Sequence, residues 1–416
     1  MKQFSLPYGQ STVNIEMPAA GYLGSFLPNK TAFEGSAADL LWDALQHPIG
    51  SPPLKDLVKP EQKVVIVTSD LTRPCPNAII LPPLIQALND AGVPDDNISI
   101  VIALGLHRKM TPEELQKSVG DDLLRRIRVL NHDIEDVVLV GETSRGTPVE
   151  IFRPVVEADV RICVGNVEFH YFAGYSGGAK AIMPGVASER AVKANHSHMV
   201  KEAASPGNLL GNPVREDLEE AVDMIGVDFI LNVIVDEKQN IVHASAGHVY
   251  EAHRELCNRL VKEGMVTIPQ QMDLAIVSAG GYPKDIDLYQ AQKALDNIIS
   301  AVKPGGVVIL LAECSEGYGN KTFAQWMASK TADEALNDLK ENFVLGGHKA
   351  AAIAKVAKMM HVFLVTTEGL FPGEMVGITA VDSWEEAWQK ASKILGESYS
   401  YGVFPLGAST LPTLAK

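Results

Sequence analysis

The side chains most able to do chemistry collect in five short segments of this 416-residue chain. The richest is Gly165 to Lys180, GNVEFHYFAGYSGGAK, which holds His170, an aromatic pair, three close glycines and Lys180. Gly174, Gly177 and Gly178 let backbone N–H groups approach a phosphate, and a cation follows at once. The spacing is neither G-x-G-x-x-G nor G-x-x-x-x-G-K-[ST], so this is not a dinucleotide fingerprint or a Walker loop. The bland alternative is a flexible turn with a solvated lysine. In Ser69-Asp70-Leu71-Thr72-Arg73-Pro74, Arg73 can grip a carboxylate bidentately. Asp70 can accept from a ribose hydroxyl or orient Arg73, or the pair can be a plain salt bridge in a strand-to-helix turn. Gly105-Leu106-His107-Arg108 puts His107 where a general base would stand, although a lone histidine after a strand is often structural.

Two further segments are weaker. His196 and His198, if helical, point in different directions, so one of them at most serves a metal, and either also reads as a surface residue. In Ser278 to Lys293, Tyr289 and Lys293 are four apart and share one helical face, projecting a hydroxyl and a cation. A solvated amphipathic helix is the competing reading there. Together the segments describe an anion-binding cleft with two or three imidazoles and several cations. Two histidines facing a carboxylate-holding arginine suit chemistry at a carbon beside a carboxylate. One base on each face of that carbon is what stereochemical inversion requires.

Such residues need a scaffold, and the hydrophobic pattern supplies one. Short runs rich in Val and Ile alternate with helical stretches. Strands are predicted at 64–67, 98–104, 137–140, 160–164, 229–235 and 241–244, with a helix at about 78–91. Thr111-Pro112-Glu113-Glu114 predicts a capped helix start. A second series runs through strands 274–278, 307–311, 361–366 and 403–405, and helices at 286–301, 332–358 and 384–395. The alternation predicts an α/β protein of two domains with mainly parallel sheets covered by helices. The boundary is expected near Pro269, giving a cofactor-binding domain over 1–269 and a domain over 270–416 that closes the cleft between them. An antiparallel hairpin is expected in the first 50 residues. In open parallel sheets ligands gather at the carboxyl ends of strands, and the first three segments each follow such an end.

Composition narrows the class, and with so acidic a chain any anionic substrate needs a local basic pocket against the overall field. Apolar residues are 46% of the chain and charged residues 21%, which argues for a folded interior rather than disorder. The net charge of −15 disfavours nucleic-acid binding. Cys75, Cys163, Cys257 and Cys314 form no C-x-x-C, which argues against a zinc ribbon or an iron–sulfur cluster. The N-terminus lacks the pattern of a secretory signal and no apolar run approaches a membrane span, so a cytoplasmic protein without membrane partners is expected.

SDLTRP at 69–74, LGLHR at 104–108, HYFAGYSGGAKAIMPG at 170–185, His196 and SAGGYPKDIDLYQAQKAL at 278–295 resemble the nickel-pincer lactate racemase family in order and spacing. The resemblance covers nearly the whole chain. It implies a 2-hydroxy acid racemase or epimerase whose cofactor is a nickel-pincer nucleotide: pyridinium-3,5-bisthiocarboxylic acid mononucleotide, with nickel bonded to a ring carbon and two sulfurs. By similarity, Lys180 can link to a cofactor thioacid as a thioamide, and His196 supplies the remaining nickel ligand. His107 and His170 become the two bases. Arg73 and Lys293 hold the substrate carboxylate, with Tyr289 and Gln290 nearby, and Asp70, Ser176, Gly177 and Gly178 help seat the nucleotide. The implied mechanism moves the C2 hydride to the pincer ring and back through a 2-keto acid. The implied partners are the 2-hydroxy acid and the proteins that make the cofactor. The alternatives are a nicotinamide-dependent dehydrogenase, against which the missing G-x-G-x-x-G counts, and a non-catalytic carrier of the pincer cofactor, which would not need both His107 and His170.

Overall fold

Val64–Ser69, Ile98–Ala103 and Val160–Asn166 are runs of β-branched residues with almost every side chain buried, the signature of parallel strands covered on both faces. In the computed structural model, which describes residues 1–28, 35–236, 238–341 and 343–415, they form the heart of a six-stranded sheet. Its order is 241–247, 229–235, 160–166, 64–69, 98–103, 128–131, parallel except at the first pair. Successive side chains of a strand point to opposite faces. Val64, Ile66, Ile100, Ile162 and Leu231 accordingly pack one core with the helix Asn77–Asp90. Val65, Val67, Val101, Cys163 and Ile230 pack the other, with Ala191 and Val192 of Glu189–Ser197 and Val214 and Leu218 of Pro213–Ile225. The chain leaves 64–69 toward 98–103 and 128–131, then returns to add 160–166 on the other side. The switch in strand order falls at 64–69, where a doubly wound sheet opens its ligand crevice.

A second sheet of seven strands runs 374–375, 378–381, 361–365, 302–311, 272–278, 401–404, 22–25, again parallel except at its first pair. The helix Leu288–Ile298 follows 272–278, and Asp287 caps it by accepting from the Gln290 N–H at 2.7 Å. The predicted capping box is present, with Thr111 and Glu114 bonded reciprocally at the start of Pro112–Val119. Lys2–Tyr8 and Ser11–Met17 form the expected antiparallel hairpin.

Two expectations are corrected. Val137–Glu142 joins no parallel sheet but pairs antiparallel with Pro148–Phe152 as a separate hairpin. Its alternating, partly exposed side chains never had the burial of a central strand. The chain also divides into compact units differently from 1–269 and 270–416. One unit is Thr31–Leu260, and the other joins Met1–Lys30 to Val261–Lys416. The reason is long-range pairing: Tyr22–Ser25 lies parallel to Tyr401–Phe404, and the Tyr401 hydroxyl donates to the Pro18 carbonyl at 2.6 Å. Met265–Ile268 likewise pairs with Leu411–Leu414, on the far side of the expected boundary.

Candidate active site

The unit Thr31–Leu260 carries most of the predicted site residues, and each follows a strand end. Asp70, Thr72 and Arg73 follow 64–69, and His107 follows 98–103. His170 and Lys180 follow 160–166. Strands 98–103 and 160–166 flank 64–69 in the sheet, so the two histidine segments emerge on either side of the one that bears Arg73. The segments also touch below the site, where the Gly105 N–H donates to the Gly185 carbonyl at 2.9 Å.

His107 is anchored by a carboxylate. Its Nδ1 lies 2.6 Å from Asp70 Oδ2, while Asp70 Oδ1 accepts from the Thr72 hydroxyl at 2.6 Å and the Thr72 N–H at 2.9 Å. Asp70 is only 4% exposed. Burial would raise its carboxyl, but the hydrogen bond and charge of His107, the Thr72 hydroxyl and the Arg73 charge together hold it below the usual carboxylate value. Donating from Nδ1–H to this carboxylate leaves the His107 Nε2 lone pair as the ring's free acceptor. Both Asp70 oxygens are engaged, Oδ2 by His107 and Oδ1 by Thr72, and among the described residues no ion pair joins Asp70 to Arg73.

His170 is held without a carboxylate. Its Nδ1 accepts from the Ala173 N–H at 3.3 Å, and its Nε2 faces Lys180 Nζ at 3.3 Å. A neutral ring accepting at Nδ1 carries its proton on Nε2, which can donate to the Lys180 amine in its unprotonated form. The electrostatics agree. Burial first, then the charges of Lys180 and Arg73, hold the imidazole well below its usual value. Burial first, then Arg215 and Arg73 against a smaller opposing pull from Glu168, push the lysine well below the usual ammonium range.

Phe172, 3% exposed, is the hub of this cluster. Its ring meets His170 edge-on at 4.5 Å and His196 at 4.9 Å, with Lys180 Nζ 5.4 Å from its centroid. The structure thus brings His170, Lys180 and His196 around one phenylalanine. His196 is helical, on Glu189–Ser197, and His198 falls in the next short turn, so the two diverge as the spacing implied.

The glycine loop is rigidly seated. The Gly178 N–H donates to Asn232 Oδ1 at 2.7 Å. The Ser176 hydroxyl accepts from the Glu168 N–H and donates to the Asn166 carbonyl, each at 2.9 Å. His253 Nε2 donates to the Ser176 carbonyl at 2.7 Å, and Arg215 donates to the Ala173 and Tyr175 carbonyls. Gly178, at φ +56°, could not gain a Cβ without meeting the His253 ring at 2.9 Å. At Gly174, φ +75°, a Cβ would lie 2.1 Å from the Asn208 carbonyl oxygen. Ser176 therefore spends its side chain on the loop itself.

Thr72, Asn232, Arg215 and His253 were missed by sequence reasoning. One signal was available: Asn232 interrupts the otherwise apolar strand FILNVIV, where an amide must have a partner to satisfy. Tyr289, Gln290 and Lys293 belong to the other unit, half-buried on the helix Leu288–Ile298. There Lys349 Nζ donates to the Tyr289 carbonyl and stands 4.0 Å from its ring centroid.

Residues 8–207 match the lactate racemase N-terminal domain and residues 268–411 the lactate racemase C-terminal domain. The chain is 33% identical to a lactate racemase of Thermoanaerobacterium thermosaccharolyticum, covering 99% of both chains. It is 31% identical to one of Lactiplantibacillus plantarum, covering 99% of this chain and 100% of the relative. The apoprotein structure of the Thermoanaerobacterium lactate racemase superposes with a TM-score of 0.91 at 32% identity, covering 99% of this chain and 100% of that one. A Thermotoga maritima protein shares the fold alone, at a TM-score of 0.63 and 20% identity over 87% of this chain and 96% of that one. The chain belongs to the lactate racemase family.

Proposed function

We propose that this protein inverts C2 of a lactate-like 2-hydroxy acid with the help of a nickel-pincer nucleotide. The observation that carries this reading is the strand order: two imidazole-bearing segments emerge on either side of the strand end that bears Arg73. That order supports reading Arg73 as a carboxylate anchor between two candidate bases, as inversion at the neighbouring carbon demands.

The residues fit the cofactor. Lys180 is a free amine able to hold a thioacid group as a thioamide. The glycine loop presents backbone where a Cβ would collide. Among the described residues no three His, Cys, Asp or Glu side chains gather as a metal cage, so a metal on His196 needs a carrier that brings its own donors. A pincer nucleotide is such a carrier, and when bound it would supply a reversible hydride acceptor. Asp70, Ser176, Gly177 and Gly178 remain the proposed seat of its nucleotide.

The chain's own residues do the rest. Arg73 and Lys293 are the proposed holders of the substrate carboxylate, with Tyr289 and Gln290 assisting. His107 Nε2 takes the hydroxyl proton as the C–H bond weakens, and Asp70 steadies the imidazolium that results. His170, kept neutral by its surroundings, serves the opposite face. We assign the protein to the cytoplasm, where the cofactor-making proteins would serve it; its four unpaired cysteines suit a reducing compartment. Among the described residues no helix is long and apolar enough to cross a membrane.

The test is to co-produce the chain with a pincer-cofactor biosynthetic set. Nickel content, intact mass and racemisation of single-enantiomer lactate are then measured, followed by a panel of other 2-hydroxy acids. Near-stoichiometric nickel that His196→Ala abolishes, with racemisation in the parent, is the expected result. Absence of both, in a preparation where a known lactate racemase loads normally, sinks the reading.

A further inference from the structure

Arg215 is 0% exposed, an unusual place for a guanidinium. It enters at the start of the helix Pro213–Ile225, beneath the glycine loop, and binds the carbonyls on both sides of Gly174. Among the described residues its acidic neighbour is Glu219, which lies 3.6 Å away and is shared with Arg254 at 2.7 Å. Two guanidinium groups therefore divide one carboxylate, and a buried positive charge is left uncancelled. Arg254 also donates to His253 Nδ1 at 3.1 Å, which fixes the tautomer that lets His253 Nε2 hold the Ser176 carbonyl.

A helix cap or a loop rivet would need only one of these bonds and no surplus charge. We propose that Arg215 is a positioning residue for Lys180: it fixes the backbone leading to the lysine and sets an uncancelled buried positive charge against its amine. This deepens the proposed function and rests on the reading of Lys180 as the cofactor-holding amine. The groups that bear on this amine are Arg215 and Arg73, which disfavour its protonation, Glu168, which favours it, and His170, which contacts it. Burial is the first influence that disfavours the ammonium, and the Arg215 charge adds to it; Glu219, beside Arg215, offsets part of that charge.

The experiment uses full-length protein made without the cofactor set, so that it stands whether or not the racemase reading does. Lys180 is acetylated with trace acetic anhydride across a range of pH, and its labelling is compared by peptide mass with that of exposed lysines. Amide hydrogen exchange over 173–180 is read in parallel. In the parent, Lys180 should label with a midpoint below that of the exposed lysines. Arg215→Met should raise that midpoint by about one pH unit and speed exchange in the loop. Arg215→Lys, which restores charge but cannot span both carbonyls, should recover part of the midpoint and none of the exchange protection. Glu219→Gln should move the midpoint the opposite way, downward. A folded Arg215→Met with the parental midpoint overturns the proposal. If that variant fails to fold, a Glu219→Gln midpoint that stays put or rises overturns it equally.

Discussion

The two histidine segments meet one architectural demand, an imidazole at the end of a parallel strand, by opposite means. His107 leans on a buried carboxylate that fixes its tautomer and offers a counter-charge to its protonated form. His170 has a backbone N–H on one side and a lysine on the other, and burial first, then the cationic groups near it, disfavour its protonated form. A substrate held between them would meet one ring backed by a carboxylate and one buried ring held neutral. The pair shows that a nearly symmetric chemical task need not be served by symmetric bases. The cationic surroundings that keep Lys180 nucleophilic impose their field on His170 as well.

The largest effects should come from removing either ring. In cofactor-loaded protein, His107→Ala and His170→Ala should each lower kcat by about 10²- to 10⁴-fold in both directions of racemisation, read by chiral chromatography. Loss in one variant alone would reduce the pair to a single base. Asp70→Asn tests the asymmetry itself. It should cost on the order of 10²-fold in kcat by upsetting the His107 tautomer, yet leave Lys180 labelling unchanged, because the carboxylate serves only the His107 side. A shift in Lys180 reactivity would show that the two sides share one electrostatic unit.

A subtler expectation concerns pH. His170 is neutral in the folded chain at values where the unfolded chain binds a proton, so the unfolded state carries more protons in that window. Stability from this group is therefore complete above the ordinary imidazole value near 6.5 and is lost as pH falls below it. His170→Leu should flatten that acid limb in thermal denaturation between about pH 5 and 8. A limb of unchanged slope would mean that another group produces it. The smallest effect is expected at Thr72→Val, which removes one hydroxyl bond to Asp70, worth about 1 kcal/mol, and should lower kcat only a few-fold.

Much of this was legible because it is written locally. Runs such as VVIVTS at 64–69 declare buried parallel strands, and Thr111 with Glu114 declares a capped helix. The chemistry-bearing side chains sit next to those strand ends, so finding the strands nearly finds the site. What the sequence hid depends on partners far along the chain. Asp70 looked like a mate for Arg73 three residues on, whereas its partner is His107, 37 residues away. Arg215 reads as an ordinary charge on an amphipathic helix, because nothing near it shows that the loop 40 residues earlier lies above it. Tyr22–Ser25, short and only partly buried, carries no sign of a partner strand near residue 400.

That last pairing has a consequence for synthesis on the ribosome. The segment 31–260 contains all the partners of its own sheet and can begin folding while translation continues. The strand Tyr22–Ser25 emerges before it but has nowhere to dock until Tyr401–Phe404 appears, roughly 20–80 s later at typical elongation rates of about 5–20 residues per second. Throughout that interval a strand made before the segment 31–260 waits for a partner made long after it.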